Sequence, residues 1–149
     1  MEVVLIMSDL SAFLAENVVK EEITEFVVSK RFLDSEGNPV KWQLKPVTAK
    51  MDASFRKSCT YQEPIPGKRG QYRERTDYDA YLTKLVAACV VFPNLNDSVL
   101  QSSYGVMGAE NLLTTMLKSG ELSDLMYKVQ EINGFETAFE DKVDEVKNA

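Results

Sequence analysis

The chain has 149 residues, of which 44% are hydrophobic and 27% are charged, and its formal net charge is −6. This length fits one domain with a core of its own, and the acidic balance disfavours nucleic acid as a partner. The sequence has no histidine, the side chain most used for acid–base catalysis and metal binding near neutral pH, so we expect no enzyme, no cofactor and no metal site.

The N-terminus carries an apolar run, residues 3–7, that is too short for a signal peptide or a bilayer crossing. We therefore expect a soluble protein of the cytoplasm. Ser8 is suited to cap a first helix that ends near residues 17–20. Its apolar positions recur at helical spacing: Leu10, Phe13, Leu14 and Val18.

A β-hairpin is the clearest strand signal, near residues 23–46. In VKWQLKP (40–46) apolar residues alternate with lysine or glutamine, which is the period of a strand buried on one face. The β-rich stretch 23–32 precedes it, and the turn-forming DSEGNP (34–39) separates the two. We expect an inner face made by Phe26, Val28, Trp42 and Leu44.

A helix then follows Thr48, with Met51, Phe55 and Cys59 one turn apart. Cys59 and Cys89 form no metal-binding or disulfide pattern, and free cysteine is among the most buried residue types. We expect both to be buried thiols.

The basic stretch 61–75 is predicted to be a loop or a loosely formed second hairpin. Its four cations are Lys68, Arg69, Arg73 and Arg75, with tyrosines nearby. Three interpretations stay open: a plain solubilising surface, a contact for an acidic protein, or a nucleic-acid site using Arg69, Tyr72, Arg73 and Arg75.

Helices dominate the remainder. The strongest helical spacing of apolar residues begins at Thr76 and ends at Pro93, and it predicts a central core helix. The apolar positions of this helix are Tyr78, Tyr81, Leu82, Leu85, Val86 and Cys89. Three further helices are expected near 96–103, across 108–117, and from Ser119 to a C-cap at Asn133-Gly134. The prediction is an α+β, mostly helical single domain over residues 1–149, with its core in about 8–135 and an acidic amphipathic tail in 136–149.

Five stretches carry a family resemblance. They are LSAFLAENV (10–18), SKRFLDSEGNPVKWQLKPV (29–47), RKSCT (56–60), YLTKLVAACVVFPNLNDSVLQSSYGVMGAENLLTTML (81–117) and KVQEINGF (128–135). Together they resemble the XkdN-like phage tail assembly chaperones of tailed phages and prophages of Gram-positive bacteria. The PNLND, SYG, GAE and EINGF strings are the most specific parts.

The resemblance implies a non-enzymatic chaperone that binds the tape measure protein of the phage tail. It would keep that protein soluble in the host cytoplasm until the tail tube polymerises. The tail tube protein is a second candidate partner, no membrane is implied, and association into a homo-oligomer is left open. The alternative is a structural tail completion or connector protein that stays in the virion.

For a chaperone of this kind, we expect the partner to contact an apolar surface assembled from the C-terminal helices. Methionine is adaptable and is used heavily at promiscuous binding surfaces. The candidate protein-binding residues are Met116, Met126, Phe135 and Phe139.

Overall fold

Two antiparallel sheets and five α-helices make up the described part of the chain, residues 10–20 and 22–135 of a computed structural model. The predicted α+β, mostly helical class is confirmed. In chain order the elements are β1 (Thr24–Phe26), β2 (Trp42–Leu44), α1 (Ala49–Ser58), β3 (Thr60–Pro64), β4 (Tyr72–Thr76), α2 (Tyr78–Cys89), β5 (Val90–Phe92), α3 (Ser98–Ser103), α4 (Ala109–Met116) and α5 (Ser119–Ile132).

The first sheet contains the predicted hairpin. Strands β1 and β2 pair antiparallel, with Phe26 opposite Trp42. The long connection between them folds back on itself, because the amide of Val40 donates to the carbonyl of Phe32. Trp42 and Leu44 are almost fully buried and Val28 is 6% exposed, so the alternating pattern did mark an inner face.

The third strand of this sheet, β5, was not predicted. The helical pattern from Thr76 was expected to run to Pro93, but α2 ends at Cys89 and the next three residues pair with β2. The β-branched and aromatic run Val90-Val91-Phe92 favours an extended backbone. Pairing with the otherwise open edge of β2 then satisfies backbone groups that one more helical turn would have used.

The predicted N-terminal helix is wrong in most of its length. The structure has a four-residue 3₁₀ helix, Leu10–Phe13, followed by turns, and Ser8 lies outside the described residues. Short helices gain most of their stability from packing an apolar face. No residue of the 3₁₀ helix is buried, so that stabilisation is missing.

Helix α2 lies at the centre of the core, and α1, α4 and α5 pack against it. The Asp77 side chain caps its start by accepting from the amide of Ala80, a role that the sequence pattern had given to Thr76. Both cysteines are free and buried, as predicted. The buried face of α2 consists of Tyr81, Leu82, Leu85, Val86 and Cys89.

The second sheet is a separate two-stranded hairpin formed by β3 and β4, with five residue pairs in register. It occupies the stretch that sequence patterns had described as a loop or a loose hairpin. Its base is held by a hydroxyl–hydroxyl hydrogen bond between Thr60 and Thr76 at 2.9 Å. The amide of Asp77 also donates to the carbonyl of Cys59.

Candidate protein-interaction surface

An exposed apolar segment lies at the N-terminal side of the described chain, and we call residues 10–20 the N-terminal segment. It is held by local hydrogen bonds, such as the Asn17 side-chain amide donating to the carbonyl of Ser11. Its exposed large apolar residues are Leu10, Phe13, Leu14, Val18 and Val19. Phe13 is 79% exposed and Val19 is 91% exposed, so the core covers neither. Contiguous exposed apolar surface is a mark of protein interaction sites.

The predicted contact residues occupy different environments. Met116 is only 6% exposed and packs in the core, so in this conformation it does not face a partner. Met126 is partly buried against the core. Phe135 is half-buried, and Phe139 lies outside the described residues. That these four residues bind a partner stays a prediction.

Phe135 borders a small cavity at the start of α1, together with Val47, Thr48, Asp52 and Asn133. Asn133 is the C-cap of α5 and joins three parts of the fold. Its side-chain oxygen accepts from the amide of Val47 at 3.0 Å, and its side-chain nitrogen donates to the carbonyl of Val129 at 2.7 Å.

The same nitrogen of Asn133 also lies 3.4 Å from the Cys89 sulfur at the end of α2. Burial raises the pKa of the Cys89 thiol, and this hydrogen bond opposes the shift. Asn133 therefore has a structural role within the EINGF string, because it links the β2–α1 connection, α2 and α5.

Asp52 of α1 makes a second partly buried contact, with Tyr81 of α2. The Tyr81 hydroxyl donates to its carboxylate, and the Arg56 guanidinium lies 5.3 Å from the centre of the Tyr81 ring. Desolvation and the neighbouring Asp52 carboxylate raise the pKa of Tyr81 to about 12. At neutral pH the phenol therefore keeps its proton and acts as a donor that fixes α1 against α2.

The side chain of Gln101 in α3 connects the PNLND string to the GAE string. Its nitrogen donates to the carbonyl of Leu95 at 2.9 Å, and its oxygen accepts from the amide of Gly108 at 3.1 Å. Gly105 and Gly108 both have positive φ, which glycine adopts without steric cost. Gly105 follows the end of α3 and Gly108 precedes the start of α4, in agreement with the helix bounds predicted from the sequence. This stretch, among the most specific parts of the resemblance, therefore has a structural role.

Arg31 fastens the β1–β2 connection to the start of α5. Its guanidinium donates to both carboxylate oxygens of Glu121 and, at 3.0 Å, to the carbonyl of Met116. It also lies over the Phe32 ring at 5.1 Å. The hydrogen bond from Arg31 is the main reason that the pKa of Glu121 falls to about 2 from its ordinary 4.5.

We predict that Glu121→Gln lowers the free energy of unfolding at neutral pH. A carboxyl with a depressed folded-state pKa stabilises the fold above its unfolded pKa and loses that contribution as the pH falls through its folded pKa. The deficit of the variant should therefore shrink between about pH 5 and about pH 2, measured by urea unfolding at a series of pH values. Glu110→Gln is the control, because Glu110 lies 3.8 Å from Lys84 in an exposed pair. A deficit that is constant with pH would contradict the prediction.

In residues 10–20 and 22–135 there is no cluster of three or more histidine, cysteine or acidic side chains that could hold a metal ion. Among the same residues, none of the helices combines the length and the apolar content needed to cross a membrane.

Comparison with known proteins gives the family. The profile of the family described as "Phage XkdN-like tail assembly chaperone protein, TAC" matches residues 10–147. The chain belongs to this family. The resemblance seen in the sequence strings is thereby confirmed, and the protein is a phage tail assembly chaperone by family.

Individual relatives of this XkdN-like chaperone agree with the assignment. It is 28% identical over 141 residues to the phage-like element PBSX protein XkdN of Bacillus subtilis strain 168, with 94% of each chain aligned. It is 30% identical over 141 residues to the protein YqbN of the same organism, covering 94% of this chain and 93% of YqbN.

A crystal structure of the protein YqbN has a similar fold. The TM-score is 0.71 at 25% sequence identity, and the superposition covers 86% of this chain and 98% of YqbN. The XkdN-like chaperone therefore shares its fold with this relative over most of its length.

The apolar residues of the N-terminal segment were not singled out as contact residues by sequence reasoning. Their spacing was interpreted as that of a helix, and the structure shows that Leu10, Phe13 and Val18 are all exposed. Helical spacing reports which residues share a face, and it does not report whether another element covers that face.

Proposed function

We propose that this XkdN-like chaperone binds the phage tape measure protein in the host cytoplasm and keeps it soluble until the tail tube polymerises. The family match over residues 10–147 carries the proposal. A long helical protein exposes apolar stripes that aggregate until they are covered. A small partner with exposed apolar side chains and a net charge of −6 would cover such stripes and keep the complex soluble.

The N-terminal segment is the surface that we assign to this contact. Its apolar side chains are exposed, and the hydrophobic core is formed without them. They can therefore contact a partner without any unfolding of the chain. Helix-in-groove recognition uses apolar anchors of this kind. Phe135, the last described residue, and Phe139, which lies outside the described residues, remain a second candidate contact.

Co-expression with the tape measure protein of the same phage or prophage tests the proposal. We expect the chaperone to co-purify with the tape measure protein and to raise its soluble fraction.

We also predict that the double variant Phe13→Ser/Val18→Ser weakens both effects. Each lost anchor removes about 1.5–3 kcal/mol of apolar burial, which corresponds to at least about a tenfold loss of affinity.

Leu33→Ser/Val99→Ser is the matched control, because both residues are exposed apolar side chains outside the N-terminal segment. Equal loss in both double variants would reject the assigned surface. The double variant Phe135→Ser/Phe139→Ser in the same assay tests the C-terminal candidates. A change at Met116, which is buried, would instead lower the stability of the fold. Absence of any co-purification or solubility gain with the unmodified chain would reject the proposed function itself.

The structural alternative predicts a different location. A tail completion or connector protein remains in mature particles, whereas a chaperone leaves before the tail is complete. Mass spectrometry of purified virions separates the two, and stoichiometric amounts of this chain in the particle would favour the structural role.

A further inference from the structure

The hairpin of β3 and β4, residues 60–76, projects from the rest of the fold, and we call it the basic hairpin. Its strands pair only with each other within the described residues. Apart from half-buried Glu63 and Ile65, residues 61–75 are exposed. An isolated two-stranded hairpin is marginal in water, so an exposed one gains stability from a partner.

One face of the basic hairpin carries excess positive charge. The register places Arg73 opposite Glu63 and Arg75 opposite Tyr61, and alternation along the strands puts all four side chains on the same face. The two guanidiniums share a single carboxylate oxygen of Glu63, at 2.9 Å from Arg73 and 3.6 Å from Arg75. One carboxylate cannot neutralise two arginines, so this face attracts further negative charge.

The tip of the basic hairpin adds two cations and an apolar surface. Lys68 and Arg69 line a shallow hollow together with Ile65 and Tyr72, and Tyr72 is 61% exposed. Neither Lys68 nor Arg69 forms an ion pair with any residue that the structure describes. The hollow therefore suits a segment that is both acidic and apolar.

The chain itself contains such a segment. Residues 136–149 hold five acidic side chains against two lysines, with Phe139, Val143 and Val146 spaced at i, i+4 and i+7. The described chain ends at Phe135, which borders a cavity beside the start of α1, and the basic hairpin begins just after the end of α1. Helix α1 spans only about 15 Å, whereas fourteen residues can reach up to about 46 Å.

We propose that the basic hairpin binds the acidic segment 136–149 of this chain. The carboxylates pair with Arg73, Arg75, Lys68 and Arg69, and the apolar side chains lie in the hollow at the tip. This interaction does not depend on which phage protein the chaperone binds, so it can hold or fail independently of the proposed function.

Carbodiimide cross-linking of the full-length protein tests the interaction, since it joins a lysine amine to a carboxylate in direct contact. We expect Lys68 to link to carboxylates of 136–149, as identified by mass spectrometry. The yield should fall several-fold in Arg73→Ser/Arg75→Ser and with rising salt, because the attraction between exposed charges is screened. Mixing isotope-labelled and unlabelled protein separates contact within one chain from contact with a second copy, and links found only between copies would overturn the proposal.

Lys20→Ser/Lys30→Ser is the matched control, because it removes the same charge at exposed positions outside the hairpin. It should leave the Lys68 cross-links unchanged. The proposal is overturned if Lys68 links to the segment no more often than Lys20 and Lys30 do. It is also overturned if the yield survives the loss of both arginines.

Discussion

Replacing Trp42 with alanine is expected to lower the free energy of unfolding by about 3–5 kcal/mol, the range for removing a large aromatic side chain from a core. Trp42 is 1% exposed, and its ring lies 6.3 Å from that of Phe32, centre to centre. It lies on β2, the middle strand of the first sheet, so its loss weakens the packing of both neighbouring strands on the helices. For a chain of this size the melting temperature should fall by roughly 6–20 °C, measured by circular dichroism.

Lys41→Ala is the control for this variant. Lys41 is adjacent in sequence, but its side chain points to solvent and pairs with Glu25 at 3.7 Å across the exposed face. Surface pairs of this kind contribute about 0–1 kcal/mol, so the melting temperature should change little. Similar losses in both variants would show that the tryptophan does not hold the sheet to the helices.

Replacing Asn133 with alanine is expected to have the second largest effect. The amide of Val47 would lose its acceptor in a partly buried position, and the contacts to Val129 and Cys89 would disappear with it. A buried polar group without a partner costs about 1–3 kcal/mol. We expect a loss in that range by urea unfolding, together with faster amide exchange at Val47.

Asn96→Ala provides the comparison, because Asn96 is exposed and only its main-chain amide takes part in a turn. That variant should unfold close to the unmodified chain. If Asn133→Ala matched it, the three-way link between the β2–α1 connection, α2 and α5 would be structurally unimportant, and the EINGF string would need another explanation.

The predictable parts of the fold were those with a local periodic signal. Alternation around Trp42 and Leu44 identified a strand with one buried face. The i, i+3, i+4 pattern of α2 identified its five buried residues but also included Tyr78, which is 54% exposed. Strand β5 was missed because its pairing with β2 is a contact between residues far apart in sequence. The β-branched and aromatic composition of the three residues ahead of Pro93 was a weak local signal, and the helical spacing before them outweighed it.

The proposed interaction surface was less predictable than the core for a related reason. The pattern at Leu10, Phe13 and Val18 showed that the residues were apolar, but only the tertiary structure shows that nothing described covers them. Met116 was named for a residue type common at binding surfaces, and only the tertiary structure shows that its side chain is 6% exposed. Asn133 gave a signal as a helix cap, and its reach to Val47 and Cys89 could not be derived from the sequence.

The burial of the single tryptophan has a practical optical consequence. Indole emission responds to the water around the ring, and Trp42 is sealed from solvent on the inner side of its sheet. The emission maximum of Trp42 will therefore stay unchanged when a ligand binds to the N-terminal segment or to the basic hairpin. It will shift only when the core unfolds. A single spectrum can distinguish a variant that fails to bind from one that fails to fold.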